Sequence, residues 1–249
     1  MPGRTEITAA TNARFKAWKR LAEGQDRVEE TTLVCGRRIV EELACSDPQG
    51  MRTWIVPAGY DGVLPGPAVP EVALSPALFR EVDVFGTRHP ILEMDVRDRV
   101  SALPPELPAG LNLALPVQDP VNLGAVVRSA VGLGCRSVVL LPGACNPFHV
   151  KAVRTSAGAV FRCRLVRNDP AGAVSWGNCP VVALDASGVP IREFRFPERF
   201  VLLVGQEGQG VRPRDVNADH VVSLPMERIE SYNAGVAAAL AMYEWRRQQ

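Results

Sequence analysis

The chain has 249 residues, enough for one large domain or two smaller ones, each with its own hydrophobic core. Hydrophobic residues make up 47% and charged residues 22%, which is typical of globular proteins and excludes an intrinsically disordered chain. Twenty-eight basic and 27 acidic residues give a formal net charge of +1, so the overall charge does not indicate a nucleic-acid partner.

Membrane and metal-binding proteins are also disfavoured. Gly, Pro or Arg interrupts every apolar segment well before the roughly 20 residues that a membrane-spanning helix needs, and residues 1–20 do not resemble a signal peptide. The six cysteines form no CxxC pair and the three histidines are scattered, so neither a disulfide framework nor a metal site is expected. We therefore expect a cytoplasmic protein with buried free thiols, no metal and no membrane partner.

The charge is distributed unevenly along the chain. Residues 1–110 carry 13 basic and 16 acidic residues, and residues 111–249 carry 15 and 11, giving net charges of −3 and +4. All but three of the basic residues are arginine, which can hold a phosphate with two parallel hydrogen bonds. The bias favours phosphate contacts in the second half, although genomic base composition would explain the arginines equally well.

Residues 1–95 predict a small α/β domain. A helix is expected from Thr11 or Asn12, either of which could cap its start, to Gly24, where glycine would end it. An apolar stripe runs along this segment at the spacing of one helix face, namely Phe15, Trp18 and Leu21. Strands and short helices alternate after it. The polar, proline-rich residues 96–110 are interpreted as a linker.

Residues 111–249 predict a doubly wound α/β domain. Apolar runs without strict alternation are typical of a parallel sheet that is covered on both faces. The runs are LNLALPV, SVVLLPG, PVVALDA, FVLLVGQ and HVVSLPM, and the helices expected between or after them are GAVVRSAVGLG, FHVKAVRTSAGAVF and SYNAGVAAALAMYEWRR.

Three of these strand ends carry polar residues and glycines. In parallel sheets ligands bind outside the carboxyl ends of the strands, so the three loops predict one pocket. The glycines lack the spacing of a dinucleotide fingerprint and the lysine of a P-loop. Taken singly, the glycines could form tight turns, the asparagines could cap helices and the arginine could lie on a helix surface. The motifs are Asn122-x-Gly124-x-x-x-Arg128, Gly205-x-Glu207-Gly208-x-Gly210, and Leu224-Pro225-Met226 followed by Ser231-x-Asn233.

In this order the three motifs resemble the SpoU/TrmH family of RNA ribose 2′-O-methyltransferases, within the SPOUT class. The resemblance implies an α/β fold in which residues 111–249 form a trefoil-knotted, parallel-sheet methyltransferase domain. It also implies that residues 1–95 form a small RNA-binding domain of ribosomal-protein L30-like fold. The family uses S-adenosylmethionine as its cofactor and forms homodimers through the knotted domain, and both properties are expected here.

The resemblance also implies roles for particular residues. The expected catalytic residues are Arg128, Asn122, Glu207, Ser231 and Asn233. The expected cofactor-binding residues are Leu203, Val204, Gly205, Gly210, Leu224, Met226, Tyr232 and Asn233. The expected RNA-binding residues are Arg154, Arg162, Arg164, Lys16 and Lys19. Because a guanidinium is a poor proton acceptor at neutral pH, Arg128 is expected to hold the adjacent phosphate and stabilise the developing alkoxide rather than to act as a base.

Three departures and two alternatives accompany this interpretation. Gln206, Tyr232 and Ala234 stand where the family usually has a small residue, leucine and valine. Ribosomal RNA is the favoured substrate because the separate first domain resembles the ribosomal-RNA members, and transfer RNA is the alternative. A catalytically silent RNA-binding protein on the same fold is the second alternative, and the presence of Arg128, Glu207 and Asn233 argues against it.

Overall fold

The computed structural model describes residues 4–24, 30–168, 176–205 and 218–249. The chain divides into two compact units. The first unit comprises Met1–Arg97 together with Asn146–Gly158, and the second comprises Asp98–Cys145 with Ala159–Gln249. The segment Asn146–Gly158, which was expected in the second domain, therefore packs with the first. Within the described ranges, no helix combines the length and apolar character that crossing a bilayer would require.

The first unit is built around a mixed sheet. Its elements up to residue 97 are β1 (Thr5–Ile7), α1 (Ala13–Glu23), β2 (Thr31–Val34), α2 (Arg37–Ser46), β3 (Met51–Pro57), β4 (Glu71–Leu74), α3 (Pro76–Val82) and β5 (Ile91–Asp95), with a 3₁₀ turn at Pro48–Gly50. In the described residues the strand order is β1-β4-β3-β5-β2. Strands β1, β4 and β3 run parallel, whereas β5 is antiparallel to both of its neighbours.

Helix α1 begins and ends where the sequence predicts. The Asn12 side chain accepts hydrogen bonds from the backbone nitrogens of Arg14 and Phe15, at 2.9 and 3.3 Å. Gly24 has a φ of 72°, a left-handed conformation that glycine adopts readily, and its N–H bonds back to the last turn. The predicted apolar stripe of α1 is buried. Both caps and the stripe are thus confirmed.

The second unit is built around a parallel sheet. The remaining elements of the chain are β6 (Val100–Ala102), β7 (Gly110–Leu115), α4 (Pro120–Leu133), β8 (Ser137–Leu140), α5 (Val150–Thr155, in the first unit), β9 (Leu165–Arg167), β10 (Val181–Pro190), β11 (Arg199–Leu203), β12 (His220–Ser223) and α6 (Ala234–Arg247), with a 3₁₀ turn at Ala159–Phe161. In the described residues the order is β12-β10-β11-β7-β8-β9-β6, and every pairing is parallel.

The predicted parallel-sheet α/β domain is confirmed. Its strands read as continuous apolar runs because both faces of the sheet are covered, and Leu113, Val139 and Val201 have no exposed surface. Two expectations differ from the structure. The expected linker, residues 96–110, contains β6, an edge strand too short to show a periodicity. The expected helix over residues 148–161 ends at Thr155, because Ala157 and Gly158 adopt left-handed φ angles of 51° and 77°.

Candidate active site

A cavity lies at the carboxyl ends of β10, β11 and β12, which are neighbours in the sheet of the second unit. Its empty space, which includes the open mouth, amounts to about 810 Å³. Six residues expected to bind cofactor or take part in catalysis line it: Val204, Gly205, Leu224, Met226, Ser231 and Tyr232. Two of the three motif loops are thus brought to one place, whereas Asn122 and Arg128 of the first motif are not among the lining residues.

Other expected site residues lie elsewhere. Leu203 is 3% exposed and packs in the core of the second unit with Ala114 and Val139, so it supports the wall behind Gly205. The Asn233 side-chain oxygen accepts hydrogen bonds from Gly235 N and Val236 N, at 2.9 and 3.3 Å, and thereby caps α6. Glu207 and Gly210, expected in catalysis and cofactor binding, lie outside the described residues.

An interruption in β10 forms one wall of the cavity. Val222 of β12 is paired with both Leu184 and Val189, so residues 185–188 leave the ladder between them. Asp185 and Ala186 of this bulge line the cavity. The Asp185 carboxylate accepts hydrogen bonds from the Ser187 hydroxyl and backbone nitrogen, at 2.6 and 2.9 Å. These bonds hold the pKa of Asp185 below its ordinary value, so its charge is retained at neutral pH.

Sequence reasoning missed Asp185 and Glu230, the two carboxylates that line the cavity among the described residues. A signal for Asp185 was present, because it directly follows the apolar run VVAL at the carboxyl end of a strand. Glu230 lies in an exposed polar loop with nothing in its neighbourhood to distinguish it from a solvated residue.

The loop between β12 and α6 is closed by Tyr232. The Tyr232 hydroxyl donates a hydrogen bond to the carbonyl oxygen of Pro225, at 2.8 Å, and joins the two ends of the loop. The leucine usual in the family at this position could not form this bond. The departure at Tyr232 therefore has a structural role, since it holds Met226 and Ser231 within a closed loop beside the cavity.

Helix α4 carries the first motif. Asp119 caps its start by accepting a hydrogen bond from Asn122 N at 2.8 Å, and Pro120 occupies the first turn. The helix packs against α6. A Cβ added to Gly235 would lie 3.1 Å from Val126 Cγ2, so glycine permits this close approach. Arg128 is exposed, and within the described ranges its guanidinium has no hydrogen-bond partner.

The expected RNA-binding residues fall in both units. Lys16 is exposed on α1, whereas Lys19 Nζ lies 2.6 Å from Glu81 Oε2, which offsets its charge. Arg154 lies in the first unit, where its guanidinium donates to the Cys35 carbonyl at 3.3 Å. The remaining two, Arg162 and Arg164, are exposed in the second unit. Arg154 therefore belongs to a different unit from the other two arginines of the expected cluster.

Thiol and metal chemistry find no support in the described residues. All six cysteines are free thiols, and burial raises the pKa of Cys35, Cys135 and Cys163 to about 12, which keeps these thiols protonated. In the described ranges no three His, Cys, Asp or Glu side chains lie close enough together to hold a metal ion.

A cavity outside the carboxyl ends of parallel strands defines this unit as a ligand-binding α/β domain. A family model described as the SpoU rRNA Methylase family matches residues 112–243. The chain belongs to this family.

Similar proteins of known name support the same assignment. The 23S rRNA (guanosine(2553)-2′-O)-methyltransferase RlmP of Bacillus subtilis is 30% identical over 97% of this chain and 99% of its own length. The ribosomal RNA small subunit methyltransferase G 2 of Syntrophobacter fumaroxidans is 36% identical over 98% of this chain, which spans about half the length of that relative. The AdoMet complex of the SpoU methyltransferase AviRb from Streptomyces viridochromogenes has a TM-score of 0.78 at 25% identity, covering 95% of this chain and 98% of that one.

Proposed function

We propose that this protein transfers a methyl group from S-adenosylmethionine to a ribose 2′-hydroxyl of RNA, with ribosomal RNA as the substrate. The observation that carries the proposal is the cavity at the ends of β10, β11 and β12, which gathers the motif residues of two distant loops. The Bacillus relative, which this chain matches over almost its whole length, is named as a 23S ribosomal RNA 2′-O-methyltransferase.

The lining of the cavity fits the cofactor. Val204, Leu224 and Met226 supply apolar surface for an adenine ring, and Gly205 lets the backbone approach a ligand closely. Asp185 and Glu230 add two carboxylates, which complement a ligand with a sulfonium and an ammonium group. Bound S-adenosylmethionine would supply an electrophilic methyl group.

The protein's own residues would align and stabilise the attacking ribose. Arg128 would hold the phosphate beside the target ribose and stabilise negative charge as it develops on the 2′-oxygen. Asn122, Ser231 and Asn233 would orient the ribose and Arg128, and Glu207 would hold the loop or the arginine. The closed loop around Tyr232 would exclude water from the cavity.

The finer features of the proposal concern the whole chain. We propose that the second unit contains a trefoil knot and that the first unit is an L30-like domain that binds the RNA. Lys16, Lys19, Arg154, Arg162 and Arg164 would contact phosphates. Two copies would pair through the knotted domain, and the six free thiols are consistent with a cytoplasmic location.

Cofactor binding is tested first by calorimetry with S-adenosylmethionine in the presence of EDTA. Binding without added metal is expected, and no binding by the full-length protein would contradict the proposal. Transfer is then tested with radiolabelled S-adenosylmethionine and RNA from cells that lack the gene, separated into ribosomal and transfer RNA. A 2′-O-methylated nucleoside in ribosomal RNA is expected. Label in a base, or in transfer RNA alone, would contradict the proposed reaction or the proposed substrate.

A further inference from the structure

The first unit contains a second cavity that the proposed methyl transfer does not use. Its empty space amounts to about 770 Å³ up to the mouth. Helix α2, strand β3 and the loops that follow β3 and precede β5 form it. The residues that matter for its chemistry are Arg37, Glu41, Trp54, Tyr60 and His89. All belong to the unit that is proposed to bind RNA.

Trp54 lines the cavity, and its side chain carries a hydrogen-bond donor without a partner among the described residues. Its side chain is 2% exposed, and its Nε1 is one of two buried side-chain polar atoms in the described residues that lack a hydrogen bond. A buried N–H without an acceptor costs free energy, and such groups are rare unless a water molecule or ligand satisfies them. A ligand with an acceptor, reached directly or through one water molecule, would remove this cost.

Two further rings lie at the cavity on well-supported loops. The Tyr60 hydroxyl packs so closely over Gly62 that a Cβ there would lie 2.5 Å from it, and Arg4 donates to the Tyr60 carbonyl at 2.6 Å. His89 follows residues whose backbone is fixed by buried Asp83. The Asp83 carboxylate accepts hydrogen bonds from Thr87 N, Thr87 Oγ1 and Arg88 N, at 3.0, 2.9 and 2.7 Å. The loops that carry the two rings are held in place in this way, so less backbone entropy would be lost when a planar group binds.

Arg37 places a cation at the same cavity. Its Nε lies 2.8 Å from Glu41 Oε1, which leaves the two terminal nitrogens of the guanidinium available to a phosphate. Its neighbour Arg38 forms the same bond with Glu42, also at 2.8 Å, but does not line the cavity. Arg38 is therefore a matched control for Arg37, because both arginines form the same bond with a glutamate but only Arg37 lies at the cavity.

We propose that this cavity binds one unstacked nucleotide of the substrate RNA. The base would lie against Tyr60 and His89 with an acceptor satisfied by Trp54 Nε1, and Arg37 would hold the neighbouring phosphate. Aromatic rings beside an arginine are the means by which proteins bind splayed-out bases of single-stranded RNA. The proposal rests on the proposed function, since it takes RNA as the substrate, but it can be tested without methyl transfer.

The first experiment observes Trp54 directly in the full-length protein. The four indole N–H groups are recorded by ¹⁵N–¹H NMR, and Trp54→Phe identifies the Trp54 signal by its absence. Titration with adenosine, guanosine, cytidine and uridine 5′-monophosphates should shift this signal for at least one nucleotide. An unchanged Trp54 signal at saturating concentrations of all four nucleotides would overturn the proposal.

The second experiment measures the affinity for a fluorescein-labelled single-stranded RNA of mixed sequence by anisotropy. Tyr60→Ala and His89→Ala should each weaken binding by about tenfold. Trp54→Phe should weaken it several-fold in a protein that stays folded by circular dichroism, with a lower melting temperature because phenylalanine leaves part of the buried indole volume empty. Arg37→Ala should weaken binding and reduce the salt dependence by about one phosphate contact, whereas Arg38→Ala should do neither.

The outcomes separate this proposal from the proposed function. If all four cavity variants keep the wild-type RNA affinity and the wild-type KM for RNA, the proposal of a nucleotide site is wrong. The proposal of methyl transfer is unaffected by that result. If the variants bind RNA more weakly but the wild-type protein transfers no methyl group, the proposal of a nucleotide site stands and the proposed enzymatic function is wrong. Equal losses for Arg37→Ala and Arg38→Ala would show a general charge effect and would also overturn the proposal.

Discussion

At Gly188 the backbones of β10 and β12 approach so closely that no side chain fits. An added Cβ would lie 2.6 Å from the carbonyl carbons of Val221 and Val222 and from the nitrogen of Val222. Backbone atoms cannot move aside as the end of a side chain can, so Gly188→Ala should force the bulge away from β12. We expect a loss of about 1–3 kcal/mol in the free energy of unfolding, measured with urea.

Gly132 provides the control for this prediction. It lies in α4 with no atom within 4 Å of an added Cβ. Gly132→Ala should stabilise the protein by up to about 1 kcal/mol, because alanine is the better helix residue. If both alanine variants unfold at the same urea concentration, the close approach at Gly188 is not a constraint in solution.

Asp185 adds a pH dependence to the proposed cofactor site. The bonds from Ser187 lower its pKa, so the carboxylate stays charged as the pH falls through the ordinary aspartate range near 4. The loss of affinity for S-adenosylmethionine that comes from protonation of Asp185 should therefore begin at a lower pH than the ordinary aspartate pKa would give. Ser187→Ala should move this loss to higher pH, as measured by calorimetry on protein shown by circular dichroism to be folded.

Asp185→Asn should reduce that affinity several-fold at all pH values at which the wild-type carboxylate is charged. The asparagine retains the oxygen that accepts from Ser187, so the bulge should be preserved. Glu227→Gln, an exposed residue of the neighbouring loop that does not line the cavity, should leave the affinity unchanged. Equal affinities for the asparagine variant and the wild type would mean that the Asp185 charge does not contact the cofactor.

Arg128 tests the proposed catalysis. If its guanidinium stabilises charge that develops only during transfer, Arg128→Ala should cut turnover by about 100-fold to 1,000-fold and leave cofactor affinity within about twofold. Arg128→Lys should restore little, since a point charge cannot replace a planar bidentate donor. Arg136→Ala, an exposed arginine just beyond α4, is the control. A loss of cofactor binding as large as the loss of turnover would instead give Arg128 a role in building the pocket.

At the scale of elements, α6 has two different faces. Its buried face packs against α4 and ends in Met242 and Trp245. Val236, Leu240 and Tyr243, which are 47%, 41% and 60% exposed, form an apolar stripe along another face. This stripe supports the proposal that a second copy of the chain covers it.

A charge placed in the stripe should prevent pairing. Wild-type protein at micromolar concentration should scatter light as twice 27.0 kDa, and Leu240→Glu should scatter as a single chain. Val84→Glu, at a similarly exposed apolar residue of the first unit, should remain paired. A wild-type mass of one chain would contradict the dimer, and a paired Leu240→Glu variant would place the interface elsewhere.

The elements that could be predicted from the sequence are those with their own local signal. Strands β7, β8, β10, β11 and β12 were predicted because five apolar runs suit a sheet buried on both faces. The caps of α1 were predicted because Asn12 and Gly24 act on their immediate neighbours. Strands β6 and β9 escaped prediction because each has three residues, which are too few to carry a periodicity. The early end of α5 escaped prediction because alanine rarely adopts the φ of 51° found at Ala157.

For the whole molecule, the proposed site could be predicted in part. The loops that begin at Gly205 and Leu224 were expected to meet, because parallel strands end at one edge of a sheet. Residues of both loops line the cavity. Asp185 depends on the bulge in β10, which is set by pairing with a strand more than 30 residues later. Association of Asn146–Gly158 with the first unit is likewise set by contacts distant in sequence and has no local signal.

The contacts between Asn146–Gly158 and the rest of the first unit predict how stable a fragment without this segment will be. Thr32 has no exposed surface, and its hydroxyl donates to the Phe148 carbonyl at 2.6 Å. In a fragment of residues 1–97 this hydroxyl loses its acceptor and the apolar contacts of Phe148 are lost, at a cost of about 1–3 kcal/mol. The fragment should unfold at lower urea concentration than one to which residues 146–158 are joined by a glycine-serine linker. Equal urea midpoints would show that the segment adds nothing to the first unit.

The return of the chain to the first unit also has an evolutionary consequence. A single genetic crossover near codon 97 would replace most of the first unit but retain the resident segment Asn146–Gly158. That segment would then pack against residues from the other parent. In the present chain Gly158 lies close to Ile39, whose Cγ2 would be 3.1 Å from an added Cβ. The two units are therefore not interchangeable modules. Substitutions in Asn146–Gly158 should be inherited together with compensating changes in β2 and α2, more than 100 positions earlier, rather than with those of the strands beside it in sequence.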